Sequence, residues 1–360
     1  MIEAFAIATA ILLAVTVLPL WNNPHWSVRG MDFPRLQFAL LAIVLLTAQL
    51  GLLDLGDGIS WILVGTTFAC LCRQAWWILP YTPLWPSEVE ACLDQDPQRR
   101  LRVLTANVLT PNRNSDALIA LVRQNRPDVL VTLESDGWWQ ERLDVLSDDM
   151  PHSIKCPLDN LYGMHVYSRL PLIDAEISYL VEEDVPSMHA LVTLRNGDNV
   201  RMHFLHPAPP SPTENEKSEE RDAELVIVAR SVADSDEAII VTGDLNDVAW
   251  SSTTRLFRKI SGLMDPRIGR GLFNTFHADY PVLRWPLDHL FHSRHFTLVS
   301  IRRLHSIGSD HFPLLTELAL TPVQGESQQG LEATVADQER ADSIADTQNV
   351  DKSDVPRPGE

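Results

Sequence analysis

The chain has 360 residues, with 29 Lys and Arg against 48 Asp and Glu, a formal net charge of −19. Its 45% hydrophobic content supports a sizeable core and excludes a wholly disordered chain. The acidic balance argues against a broad basic face of the kind that holds a long polyanion without regard to sequence.

The apolar residues crowd the N-terminus. Phe5–Leu20 and Leu36–Leu53 carry no charge, and Ile59–Leu79 carries only Arg73. These runs predict two to three transmembrane helices, over about residues 4–20, 36–53 and 59–79, because a span needs about 20 mostly apolar residues. Trp21, Trp26, Trp61, Trp76, Trp77 and Trp85 near their ends suit an interfacial belt. The opening "MIEAFAIATA" places no basic residue before its apolar run, so the first helix reads as retained rather than as a signal peptide. Arg29 and Arg35 lie in the first connection, Asp54 and Asp57 in the second, and Arg99, Arg100 and Arg102 follow the third helix. The positive-inside rule then expects a multi-pass protein of the inner membrane with its C-terminal part in the cytoplasm. Cys70, Cys72, Cys92 and Cys156 have no metal-ligand spacing and read as small apolar side chains.

Residues 81–100, rich in Pro and charge, read as a linker, and a soluble domain follows over 101–320. "RVLTANVL" predicts a strand, and Ser115 caps a helix that stops before Pro127. "DVLVTLE" is a strand ending at Glu134, and "VRMHFLH" is one ending at His206. A helix is expected over Glu216–Ala233. "EAIIVTGDLN" runs as a strand into Asp244 and Asn246, and "FTLVSIRRL" and "LLTELAL" are the last strands. The pattern is that of an α/β domain. Residues 321–360 hold nine acidic and three basic residues and few large apolar ones, so an acidic disordered tail is expected.

The polar residues fall in a regular place. Asn107, Glu134, His206, Asp244 and Asn246 lie at or just past strand C-termini, and Asp310 and His311 occupy the loop "SIGSDHFP" before the last strand. Strand ends at one sheet edge are where a scaffold gathers polar groups over a crevice. Glu134 and Asp310, with Asn107, are hard oxygen donors that suit Mg²⁺, with Mn²⁺ as a substitute. Asp244 and Asn246 are two apart, so on an extended chain they face the same way. An acid and an amide so placed suit orienting a water and holding a phosphoryl oxygen. His311 is a charge partner for phosphate, with Asp288 of "WPLDHLF" to fix its tautomer. His206 ends its strand at a proline-rich loop. No P-loop, GxSxG, HExxH or Cys/His zinc spacing is present.

Taken in order, "TANV", "LVTLE", "YSRLPL", "FLHP", "VTGDLND", "PLDHLF" and "GSDHFPL" resemble the endonuclease/exonuclease/phosphatase family over about residues 100–320. The resemblance implies the DNase I-like fold, a four-layer sandwich of two packed mixed sheets with outer helices. It implies hydrolysis of phosphate esters with Mg²⁺. Glu134 becomes the principal metal ligand, helped by Asn107 and Asp310. Asp244 orients or deprotonates water, and Asn246 and His206 contact phosphoryl oxygens. His311, oriented by Asp288, stabilises charge or acts as base. Arg169 matches a structural element. Leu109 stands where several nucleases of the family carry an acid, with Asn112 and Asn114 nearby.

Three readings of function follow. The first is a membrane-anchored phosphodiesterase or nuclease. The second is a phosphatase or phospholipase-like hydrolase of a lipid or inositol-type phosphate. The third is an inactive membrane-tethered scaffold, against which the intact polar set argues. The partners implied are a phosphoester substrate and the membrane, with no obligate protein partner.

Overall fold

The computed structural model describes residues 1–360 except Asn22, Asp234, Glu326 and Glu360. Three long helices lead the chain: α1 (Ile2–Val17), α3 (Arg35–Leu52) and α4 (Gly58–Ile78), with the short α2 (Trp26–Arg29) between the first two. Three segments, Ile2–Leu20, Arg35–Leu52 and Gly58–Tyr81, are long and apolar enough to cross a membrane. Their packing is inverted relative to a soluble bundle. Ile11, Leu41, Val44 and Ile62 point outward, while Thr9, Thr16, Gln49, Thr67 and Gln74 are buried between the helices. Gln49 Nε2 donates to Thr9 Oγ1 (2.8 Å) and Gln74 Nε2 to Thr16 Oγ1 (3.1 Å). Polar groups inside and apolar groups outside is what a lipid solvent selects. Cys70 is buried and Cys72, two residues on, is exposed.

The remaining chain builds two sheets. In one, β10 (Phe296–Arg303), β11 (Leu314–Leu320), β1 (Arg100–Asn107), β2 (Val129–Leu133), β4 (Met164–Ser168) and β3 (His152–Cys156) lie side by side in that order. In the other the order is β5 (Leu172–Ser178), β6 (Ser187–Thr193), β7 (Asn199–Leu205), β8 (Ile239–Asp244) and β9 (Asp288–His292). Each sheet has one parallel pair, β1 with β2 and β7 with β8, and the other pairs are antiparallel. A parallel pair needs a crossover. Here α5 (Ser115–Asn125) and α7 (Glu219–Val232) supply it.

The period-2 alternation of the strands sorts their residues between two cores. Leu101 and Val103 of β1 meet Met202 and Phe204 of β7 and Ile240 of β8 in the core between the sheets. Leu104 and Ala106 face outward onto α5 and α6 (Gly137–Leu143). Ile239 and Val241 face α7, α8 (Ser252–Ser261) and α10 (Val335–Gln348). The layers are helix, sheet, sheet, helix, the sandwich that the sequence implied. The parallel pairs in both sheets end at the same edge.

Three expectations are corrected. Ser115 is the first helical residue rather than a cap, and Asn114 holds the cap position without a side-chain bond. The linker is packed: Val89 is fully buried and Cys92 N donates to Leu298 O (2.8 Å). Among its described residues, which exclude Glu326 and Glu360, the acidic tail is not disordered. It forms α9 (Pro322–Gly325) and α10, and Thr334 closes a capping box with Asp337. Small apolar residues suffice: Ala341, Ala345 and Val355 are buried against α7 and α8, and Lys259 Nζ meets Asp337 (2.7 Å). The sparse apolar residues happen to share one face, which composition alone does not reveal. Ending the chain at Gly330 is therefore expected to lower the thermal midpoint by about 5 °C or more. Unchanged unfolding would contradict the packed tail.

Candidate active site

The same alternation that fills the inter-sheet core delivers the polar residues. Continuing the inward phase of β1 past Leu101 and Val103 gives Thr105 and Asn107. Continuing that of β8 past Ile240 gives Thr242 and Asp244. The two threonine hydroxyls meet across the sheets at 3.1 Å. One step further, Asn107 Nδ2 donates to Asp244 Oδ2 (3.2 Å) and to Glu134 Oε1 (2.8 Å). His206 continues the inward phase of β7, and Asp288 that of β9, where it stands opposite Asp244.

His311 is held between two carboxylates. Its Nδ1–H donates to Asp288 Oδ2 (2.8 Å), and its Nε2 lies 3.4 Å from Asp244 Oδ2. All three side chains are buried. Burial opposes the imidazolium, but Asp288 and Asp244 outweigh it and push the His311 pKa up to about 10. Asp244 is pulled below its ordinary range: burial acts upward, and His311 and its other neighbours, including hydrogen bonds from Asn246 N–H and Asn107, together outweigh it. His206, by contrast, is buried against Tyr162 with Nδ1 unpartnered, and burial pushes its pKa down to about 4. At neutral pH His311 is charged and His206 is not.

Glu134 carries the opposite signature. Burial pushes its pKa up to about 7, although Asn107 donates to Oε1. Its Oε2 is buried without any hydrogen-bond partner. A buried carboxylate oxygen left unmatched is costly and fits a cation. Asp310 lines the same cleft as Glu134, Asn246 and His311. The donor set is hard oxygen, as Mg²⁺ prefers. The carboxylates of Asp244 and Asp288 also cluster with His311, but both ring nitrogens there already face carboxylates, which leaves the ring no lone pair for an ion.

Strain concentrates at this edge. Leu109, Glu134 and Asn246 all have positive φ (59°, 57° and 51°). Such backbone costs about 1–3 kcal/mol per residue and persists where surroundings enforce it. Thr110 Oγ1 donates to Glu134 O (2.7 Å), and Leu109 N–H donates to Asn107 Oδ1 (3.1 Å). Gly243 has φ 151°, and a Cβ there would stand 1.8 Å from Leu205 O. Only glycine lets β8 approach β7 so closely before the Asp244 turn.

The polar residues singled out in the sequence thus gather at one edge, with two differences in detail. Asn107 is a donor that ties two carboxylates, and its Oδ1 accepts from Leu109 N–H. Asn246 does not follow Asp244 along an extended strand. It turns back so that its N–H bonds Asp244 Oδ1 (3.0 Å), and its Nδ2 donates to Pro207 O (2.9 Å). Arg169 sits at the far end of β2, bonded to Pro127 O and Asp149 O, as a structural element. Asn112 braces its own loop by donating to Val108 O and Ile307 O.

Sequence reasoning missed a buried layer beneath the site. Arg221 Nη1 donates to Asn246 O (2.8 Å), while its guanidinium pairs with Asp222 (2.8 Å) and Asp247 (3.5 Å). Arg267 pairs with Asp265 (2.8 Å), donates to Asp288 O (3.3 Å) and contacts His289 Nδ1 (2.7 Å). In the sequence Arg221 stands among Glu219, Glu220, Asp222 and Glu224, and Arg267 beside Asp265 and Arg270, so both read as surface charges.

A model of the endonuclease/exonuclease/phosphatase family matches residues 104–311. The chain belongs to this family of phosphoester hydrolases. Among solved structures, it resembles a family member from Beutenbergia cavernae at 20% identity, covering 62% of this chain and 72% of that one, with TM-score 0.51. It also resembles the human Nocturnin catalytic domain with bound sulfate, at 16% identity, 62% and 94% coverage and TM-score 0.51. A D. rerio TDP2 structure complexed with single-strand DNA product matches at 16% identity, 61% and 98% coverage and TM-score 0.50. These likenesses concern the fold. No curated protein matched the chain.

Because a cation must displace the proton from Glu134, Mg²⁺ affinity is expected to rise up to about tenfold per pH unit until about pH 7 and then level off. Calorimetric titration across that range checks this. Affinity independent of pH below 7 would contradict the buried, protonated carboxyl.

Proposed function

We propose that this chain is a membrane-anchored, Mg²⁺-dependent hydrolase that cleaves phosphoesters by in-line attack of water. One observation carries the reading: an unpartnered buried oxygen of Glu134 opens into the same cleft as an imidazolium bracketed by Asp244 and Asp288. Glu134 and Asp310 would hold the divalent ion, with Asn107 fixing the orientation of the Glu134 carboxylate. When bound, the ion supplies positive charge to a phosphoryl oxygen.

The chain's own residues supply the rest. Asp244 stays ionised and accepts a proton from the attacking water. His311 stays charged and faces the developing negative charge on phosphorus oxygens. Its Nδ1 proton remains on the Asp288 side, so Nε2–H, 3.4 Å from Asp244 Oδ2, is the group placed to donate. His206, neutral, and the second N–H of Asn246 are further donors to the phosphoryl group. An already protonated His311 makes a poor general base, which leaves that task to Asp244. The inverted polarity of the three N-terminal helices supports membrane anchoring, with Arg29 and Arg35 favouring a cytoplasmic domain.

Glu134→Gln and His311→Ala are each expected to keep the fold and lower kcat by about 10²–10⁴ on bis-p-nitrophenyl phosphate. The comparison with p-nitrophenyl phosphate reads whether a diester or a monoester is preferred. EDTA should abolish turnover of the parent chain. Undiminished rates in both variants would remove this assignment.

A further inference from the structure

The cleft over the site has a volume of about 660 Å³, and one of its walls does not come from the catalytic sandwich. Trp26, Gly30, Phe33 and Pro34 belong to the connection between α1 and α3. Those are the first two of the three helices suited to a membrane. The connection is fixed in place. Trp26 N donates to Glu216 O (2.9 Å), Ser218 N to Pro24 O (2.9 Å), and Trp250 Nε1 to Asp32 O (2.8 Å). Tyr81, at the end of α4, donates its hydroxyl to Ala249 O (2.5 Å). The bundle end thus packs directly beneath the Asn246–Trp250 turn of the site.

A second wall leads to the same place. Phe276, Leu283 and Trp285 line the cleft and belong to the loop before β9. At its tip, Val282 O accepts from Gln37 Nε2 (2.7 Å) on the first turn of α3. Beside that contact Tyr280, Val282 and Leu283 are 57%, 75% and 46% exposed. A large apolar tip adjoining an apolar helix face is what an interfacial segment presents.

The charge of the cleft points the same way. Among its described lining residues Arg29 is the one Lys or Arg, and it is engaged by Asp222 (3.3 Å) and Ser252 Oγ (3.0 Å). Glu134, Glu214 and Asp310 line it as well. A nucleic-acid strand needs a row of free cations along its backbone. A single phosphoester with a hydrocarbon substituent needs one charged end and one apolar wall.

Building on the proposed hydrolase reading, we infer that the substrate is an amphiphilic phosphoester. Its phosphate sits at Glu134 and His311, and its hydrocarbon chain lies along the wall formed by Trp26, Phe33, Phe276, Leu283 and Trp285. It reaches the site from the bilayer surface at the α1–α3 connection.

The test uses the full chain with Mg²⁺, held in an amphipol that carries no phosphoester. Methyl, butyl, hexyl and octyl phosphate are titrated by calorimetry against empty-amphipol blanks. Each added methylene is expected to tighten binding about two- to fourfold until the wall is covered. In Leu283→Ser and Trp26→Ala that dependence should flatten while methyl phosphate binds as before. Both side chains are substantially exposed, so the fold does not rest on them. Affinity that ignores chain length, or equal slopes in parent and variants, would overturn the inference. So would tighter binding of a short oligothymidylate than of octyl phosphate. Hydrolysis of bis-p-nitrophenyl phosphate is run alongside. If it proceeds while chain length has no effect, the lipid inference falls and the hydrolase reading stands. If it fails too, the reading of the site falls with it.

Discussion

The structure turns on one contact between sheets: Asp244 at the end of β8, joined to Asn107 at the end of β1 and to His311 from the loop before β11. Each residue comes from a different part of the chain, and each is placed by the strand before or after it. Two parallel pairs, one per sheet, end at the same edge, so their terminal side chains converge. The imidazolium needs Asp288 and Asp244 on both sides to remain charged while buried. That requirement fixes the register of β8 against β9, since Asp244 and Asp288 are direct partners.

The site divides into two halves with opposite electrostatics. Around His311, negative charge favours a bound proton on the ring. Around Glu134, burial raises the carboxyl pKa and leaves an oxygen without a partner. Asn107 joins the halves and keeps the two carboxylates apart in role. The positive φ values at Leu109, Glu134 and Asn246 show backbone held against its preference at this edge. Hydrogen bonds from Thr110 and Arg221 help to hold it. Breaking the Arg221 pairs would leave Asp247 buried without its cation and Asp222 with Arg29 alone, a loss of about 3–5 kcal/mol.

Much of this was legible in the sequence, because its signals are local. An apolar alternating run ending in a polar residue states both the strand and the place of its last side chain, as at "DVLVTLE" and "VTGDLN". Uncharged runs state the N-terminal helices. What was not legible depends on contacts made at long range. The burial of α10 rests on Ala341 and Ala345 meeting α7, and nothing in an acidic, alanine-bearing segment announces that. The turn of Asn246 back to Pro207 overrides the extended geometry that its spacing implied. Arg221 and Arg267 look like surface residues until their partners are known. The contribution of Trp26 and Phe33 to the cleft wall required knowing how the helical bundle seats on the sandwich.

The division into a metal half and a proton half is the central claim, and the position of a bound ion tests it most directly. A crystal of the chain soaked with Mn²⁺, examined by anomalous diffraction, should show a peak about 2.1 Å from Glu134 Oε2, on the side of Asp310. His311 should keep its contacts to Asp244 and Asp288. A peak lying among Asp244, Asp288 and His311 instead, with the ring nitrogen as ligand, would contradict the account.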